Sequence, residues 1–448
     1  MLTKQAALDR AQSLVENAIK AGADAADAVY ICDGSTDVQV RLGLLEEVSR
    51  SESEDIGLRV FAGQKSATIS SSYMNPDILA GLITRAIDMA REAPDDPYAG
   101  LAPQNMLMTG DLPDIDSDDG EDPSPATLRQ CALACEDAAR AVAGVTGSEG
   151  AGATAGRSIF ALATSHGFAA ANSASGYSIY ASLLAGEGDH KERDYDYRTA
   201  RYHGDLPDPQ GVGALAAERA VGRLNPVTVK SGAMPILFDP RVGGSLVGHL
   251  LGAISGSAVT RRTSFLLESL NEQLFDNAIS IIDDPLRRRG LSSRAFDGEG
   301  LPTSRRAIID KGLLTGWMMD SASARQLSLA PTGHASRGTG GAPGVSASNV
   351  HLEGSDITPL QLMNDVKNGI YITELSGQGV NPVTGDYSRG ASGFLIENGE
   401  ITLAVSEFTI AGNLKDMFRR MRAANDLEFT RSINVPTLRV DGMMVAGA

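Results

Sequence analysis

The sequence predicts an α+β protein in which N-terminal layers of helix and antiparallel strand are followed by a β-rich C-terminal domain. Three observations predict it. Amphipathic helical patterns twice bracket runs of short, partly alternating strand sequence in the first half of the chain. The second half holds one long helical pattern, and two tight-turn signals mark much of the remainder as hairpins. The expected organisation is an α+β domain over residues 1–98, an acidic Pro/Asp connector over 99–125, a central α+β domain over 126–230 and a β-rich domain over 231–448.

The elements follow in order. Lys4 to Lys20 places Ala7, Leu8, Ala11, Leu14, Val15 and Ile19 on one helical face, and Ala21-Gly22 ends it. Short strands are expected at Asp27 to Cys32, Thr36 to Arg41, Leu45 to Arg50, Gly57 to Phe61 and Ser66 to Ser70, then a helix from Pro76 to Arg91. The stretch DLPDIDSDDGEDP at 111 to 123 reads as a solvated connector, since it lacks the regular oxygen ligands and closing Glu of a calcium loop. A helix over Thr127 to Val142, strands over Ser158 to Thr164, Ala169 to Ala174 and Ser178 to Ala185, and a helix over Gly211 to Arg223 make the central unit. In the third, MPILFD is a strand from Met234, and hairpins turn at Asp310-Lys311-Gly312 and Asn398-Gly399. Between them Pro331 to Gly344 is a Gly-rich loop. Its Gly340-Gly341 has neither the Walker Lys nor a following helix, which argues against phosphate binding.

Composition excludes some functions. With 39 basic and 56 acidic residues the net charge is −17, which opposes a nucleic-acid backbone as partner. Cys32, Cys131 and Cys135 are odd in number and irregularly spaced, as in a reducing compartment. The first residues show neither a signal peptide nor a membrane span, so a cytoplasmic protein is expected.

The stretch DPRVGGSLVGHLLGAISG, Asp239 to Gly256, reads as one helix with a cap at Asp239 and Pro240 in its first turn. Val242, Leu246, Leu250 and Ile254, with Val247 and Leu251, form a wide apolar face. Gly244, Gly248, Gly252 and Gly256 recur four apart, and each costs about 1 kcal/mol against Ala inside a helix. A close-packing ridge against a second backbone is therefore expected along these four glycines.

GGSLVGHLLGAIS resembles the key helix of the TldD/PmbA family of peptidases, in its PmbA/TldE branch. The likeness extends to RLGLLEEVSRSE, GLRVFAGQKSATIS, PTSRRAIIDKGLLTGWMMDSASAR, NPVTGDYSRGASGFLIENGEI and TIAGNLKDMF. It implies the following. The catalytic TldD branch carries HExxxH here, two His holding zinc and the Glu taking a proton from the metal-bound water. Those positions are Gly244, Ser245 and His249 in this chain, so only the second His is retained; the branch's Cys ligand would fall within Thr430 to Ser432, where no Cys stands. The resemblance thus implies a PmbA/TldE-type subunit that binds no cofactor itself, with zinc in a TldD-like paralogue. Its partners would be that paralogue in a heterodimer, or a second copy in isolation, joined through the β-rich segment, and unfolded or small peptides as substrates; neither nucleic acid nor membrane is implied. A strand edge in the β-rich segment would suit backbone recognition of such peptides. Two alternatives stand beside this reading: an active metallopeptidase with a non-standard metal site, and a non-enzymatic protein-binding modulator.

The remaining candidates for chemistry find bland explanations. His249 alone cannot supply the three protein ligands of a catalytic zinc and is expected to cap or hydrogen-bond beneath the ridge. His190 lies among Glu187, Asp189, Glu192 and Asp194, and His203 lies near Asp205, but solvated carboxylates explain both on an acidic chain. His166 and His334 sit in turn-rich sequence with no base or orienting acid beside them. The serines of SGS at 255 to 257 and GAS at 390 to 392 lack a nucleophile elbow, and Cys131 and Cys135 lie four apart on a helix whose acidic setting opposes thiolate chemistry.

Overall fold

The structure, a computed structural model, describes residues 2–188 and 190–447. Its first half is built on one antiparallel sheet of six strands: β1 (Ala25–Arg41), β2 (Leu44–Ala62), β3 (Lys65–Ser71), β4 (Val145–Thr164), β5 (Ala169–Ala185) and β6 (Glu192–Ala200). Their order is β3-β2-β1-β4-β5-β6. The first two expected units share this sheet, because β1 pairs with β2 on one side and with β4 on the other.

Several strands are longer than the sequence suggested. The runs expected at 27–32 and 36–41 are one strand, since Gly34 and Ser35 lie opposite Glu52 and Ser51 in unbroken register. The same holds for the two runs now joined in β2, for β4, which begins well before Ser158, and for the two joined in β5. Small and polar residues that read locally as breaks stay extended when a neighbouring strand satisfies their backbone groups.

Four helices cover one face of the sheet. Ala28, Tyr30 and Cys32 of β1 meet α1 (Lys4–Lys20) and α2 (Pro76–Glu92), while Val38 and Val40 of the same strand meet α3 (Pro125–Arg140) and α4 (Pro209–Gly222). These five residues alternate along β1, so a single strand seats both helix pairs. Where α3 crosses α4 the fit depends on glycine: a Cβ on Gly213 would lie 1.8 Å from the carbonyl oxygen of Cys135.

The third domain begins with β7 (Gly232–Phe238), which enters a sheet ordered 400–413, 386–397, 368–376, β7, 438–446 and 421–423. Thr409 to Ala411 also pair with Met444 to Ala446, closing the first five of these strands into a ring. This pairing removes the free edge at those residues only, as closure does in barrels. A second small sheet runs through 281–283, 306–310, 313–314, 350–352 and 433–434. Both hairpin turns are present, with Lys311-Gly312 and Asn398-Gly399 all at positive φ. No helix among the described residues is long and apolar enough to cross a membrane.

The third domain docks on the open face of the first sheet. Asp27 of β1, buried, takes Arg59 Nε at 2.6 Å and Arg337 Nη2 at 3.0 Å. Arg337 also donates to the carbonyls of Gly338 and Gly341, so the Gly-rich loop wraps its own arginine. The loop comes so near β2 that a Cβ on Gly57 would lie 2.3 Å from the Thr339 carbonyl oxygen. Beneath it Glu299 is buried, and desolvation with the charge of Asp297 pushes its carboxyl up to about 7 despite a donor from Ser321.

Gly213 and Gly248 therefore carry opposite expectations. Gly213→Ala forces α3 and α4 apart and should cost about 1–3 kcal/mol or more, whereas a Cβ on Gly248 meets nothing within 4 Å. Gly248→Ala should gain up to about 1 kcal/mol of helix propensity. Thermal melts of the two variants check both signs.

Candidate functional site

The central helix α5 (Pro240–Ala253) starts as the sequence requires. Asp239 caps it by accepting from Arg241 N at 2.8 Å, and Tyr371 Oη donates to the other oxygen of Asp239 at 3.1 Å. Leu246, Val247, Leu250, Leu251 and Ile254 are buried in the third-domain core, with Val242 packed at its margin. The single helix expected to Gly256 is broken: Ile254 caps α5, and Ser255 caps a five-residue helix α6 (Gly256–Thr260). A hydroxyl that accepts from Ala258 N competes with continuation of the first helix.

The glycines do not form one ridge. A Cβ on Gly244 would lie 3.4 Å from the Ile433 carbonyl oxygen and one on Gly256 would run into Ser323 and Met318, but Gly248 and Gly252 border open space. The tightest contact on α5 is at Gly243, where a Cβ would lie 3.0 Å from a methyl of Val435. A spacing of four selected the wrong partner for Gly244, because the segment beside the helix crosses it at one place and does not run along it.

That crossing segment is the one in which the resemblance would put a Cys. Arg431 Nη1 donates to the Arg241 carbonyl at 2.6 Å, and Asn434 Oδ1 accepts from Thr430 N and Arg431 N at 2.9 Å each. The structure thus brings residues 430–433 to the Gly244 end of α5. The residues there do not make a zinc site. Gly244 has no side chain, Ser245 Oγ donates to the Val242 carbonyl at 2.7 Å, and neither Thr430 nor Ser432 replaces a thiolate. His249 is half-buried against the edge of Tyr387, ring centroids 6.0 Å apart, and its Nε2 has no hydrogen-bond partner. It neither caps nor bonds beneath a ridge, contrary to expectation. Burial, with Arg389 nearby, lowers its pKa from the ordinary value. No group of three His, Cys, Asp or Glu side chains placed to hold a metal occurs among the described residues.

The other candidates are separated or occupied. Of the acidic group around His190, Glu192 faces Arg223 and Asp194 pairs with Arg241 at 2.8 Å, while Asp189 lies outside the described residues. His203 approaches Glu121 at 3.5 Å, and Asp205 instead pairs with Arg289. His166 Nδ1 lies 3.2 Å from the Ala102 carbonyl. His334 does have an orienting acid, Asp283 at 3.1 Å, and Thr332 Oγ1 at 2.8 Å on its other nitrogen. Sequence could not show this, because Asp283 arrives on a separate strand; both His334 and Asp283 are buried, and the chain of bonds holds the Gly-rich loop. Ser392 Oγ is engaged with Glu374 and Arg223. Burial, with Asp196, Cys131 and Glu136 adding, pushes the Cys135 thiol up to about 12, far from a thiolate.

Residues 33–92, 118–224 and 231–447 match domain 1, the central domain and the C-terminal domain of the PmbA/TldA metallopeptidases. The chain belongs to that family. Over 441 residues it is 36% identical to Metalloprotease PmbA of Escherichia coli O157:H7, covering 97% of this chain and 96% of that one. It is 35% identical to a Metalloprotease PmbA homolog of Haemophilus influenzae, over 97% of this chain and 94% of the relative. A solved Bacteroides thetaiotaomicron structure, described as a candidate modulator of DNA gyrase, is 28% identical with a TM-score of 0.90, over 98% of each chain. TldE of Thermococcus kodakarensis shares the fold, with a TM-score of 0.86 at 20% identity over 97% of this chain and 99% of that one.

The unpartnered Nε2 makes a test of His249. A histidine whose folded pKa is depressed stabilises the fold at higher pH, and that stability is lost as pH falls below 6.5 toward the folded value. His249→Phe removes the unsatisfied atom at similar volume and should melt within about 1 kcal/mol of the parent at about pH 7.5. It should also lose less stability than the parent on going to about pH 5.5. Melts at the two pH values measure both.

Proposed function

We propose that this PmbA/TldA family member is the zinc-free, PmbA/TldE-type subunit of a two-chain metallopeptidase, paired with an HExxxH-bearing paralogue and acting on unfolded or small peptides in the cytoplasm. One observation carries the reading. The helix and the segment around residues 430–433 come together as a site would need, yet Gly244, Ser245 and His249 leave one imidazole where three ligands are required. Retention of the scaffold without its donors fits a subunit that shapes a shared chamber better than one that activates water alone. In isolation the same surface would pair two copies of this chain, since subunits of one fold can use equivalent surfaces for either assembly.

Co-expression with the HExxxH paralogue tests this. Cleavage of an unstructured peptide should need both chains, the purified single chain should carry well under one zinc, and His249→Ala should leave turnover of the mixed complex within a few-fold. One zinc per chain, lost on His249→Ala together with activity of the single chain, would establish the rival metallopeptidase with its own metal site. A chain that captures a protein partner and never affects peptide cleavage would establish the binding modulator.

A further inference from the structure

Beside the N-terminus of α5, where the second unit meets the third domain, lies a cavity of about 280 Å³ with four guanidinium groups in its wall: Arg198, Arg219, Arg241 and Arg431. Two of its acidic residues are already spent on internal donors. Asp239 accepts from Arg241 N and Tyr371 Oη; Asp426 accepts from Thr437 N at 2.9 Å and from Thr437 Oγ1 at 2.7 Å. The third, Glu428, is exposed at the rim.

The arginines, by contrast, are under-used. Arg198 uses only Nη1, which donates to Asp196 Oδ1 at 2.7 Å and the Tyr197 carbonyl at 2.9 Å and lies 2.6 Å from Asp196 Oδ2. Arg219 uses only Nη1, on the same buried Asp196 at 2.6 Å. Arg431 stacks its guanidinium 5.1 Å over the Tyr197 ring and gives one bond, to the Arg241 carbonyl. A guanidinium carries five donors, and among the described residues Nε and Nη2 of Arg198, Arg219 and Arg431 reach no acceptor. Nε of Arg241 is buried and makes no hydrogen bond, with Asp239 Oδ1 at 3.5 Å. The wall is rich in donors and short of acceptors, and the complement of paired guanidinium donors is a planar carboxylate.

We propose that this cavity binds a carboxylate of a peptide ligand, gripped by the unspent donors of Arg431 and Arg198. The proposal rests on the peptide-handling role given above and adds to it a recognition element on this chain. Arg431 is two residues from Ile433, whose carbonyl faces Gly244, so a peptide anchored by its carboxylate would be held at the start of α5, beside the family's metal position. The carboxylate could belong to the peptide's C-terminus or to an acidic side chain.

Fluorescence anisotropy with the purified full chain decides it, using a labelled unstructured decapeptide free of Asp and Glu in three forms: C-terminal acid, C-terminal amide, and amide with a final Glu. The acid should bind about tenfold or more tightly than the plain amide, since hydrogen bonds to charged groups are the strong ones. Arg431→Gln should bring acid and amide within twofold, and Arg431→Lys should restore part of the difference. Arg198→Gln should narrow the difference as well; it leaves Arg219 on Asp196 and serves as the second variant if Arg431→Gln melts early. A final Glu that matches the acid identifies a side chain as an accepted source, and one that matches the plain amide identifies the terminal carboxylate. Equal binding of acid and amide to the parent, or an unchanged ratio in folded Arg431→Gln and Arg198→Gln, overturns the cavity assignment while leaving the peptide-handling role intact. No binding of any form, with or without the HExxxH paralogue, overturns both.

Discussion

The molecule depends on one buried carboxylate. Asp27 holds two guanidinium groups, one from the neighbouring strand and one from a loop 310 residues further along the chain. Removing a single partner of such a buried set is expected to cost about 3–5 kcal/mol, because the remaining charges stay desolvated. The set also fixes position. Arg337 is fully buried and its loop touches β2 at the missing side chain of Gly57, so sheet and loop meet in one arrangement only.

Around α5 the framework is well defined, and Gly244, Ser245 and His249 on it do not make a metal site. The helix is capped, its apolar face is buried, and a second segment crosses it where a third ligand would have to enter. Gly244 at the crossing faces the backbone of Ile433. The charged side chains of the region lie at the helix start, where Arg241 bridges Asp194 of β6 and its own capping residue. That bridge joins the second unit to the third domain through charge, as Asp27 joins the first.

Much of the fold was legible in the sequence. Helices with a one-sided apolar pattern and a Pro or Asn start were visible because their signals are local, and both hairpins turned where the dipeptides said. Strand length was not, since Gly34, Ser35 and Gly176 remain extended only because of what lies beside them. The site was legible by likeness to a family and not by chemistry. Gly244, Ser245 and His249 could be placed on one helix, but the four arginines come from four stretches with no common spacing, and Asp283 reaches His334 from 51 residues away. The glycine spacing misled because periodicity shows which face a residue takes and says nothing about what crosses that face.

The shared six-stranded sheet has a consequence for how the chain can be divided. The family's first and central domains are consecutive in sequence, and an acidic connector between them invites cutting there. Yet β1 runs against β4 over 14 residue pairs, from Asp27–Thr164 to Val40–Ala151. Separated halves would each expose a long unpaired strand, a template for pairing with other chains. A nick in the connector of the folded protein, on the other hand, leaves that ladder whole, so the two pieces would travel together as one particle until denatured. The boundary between the first two family domains is therefore not a boundary between units of folding in this chain.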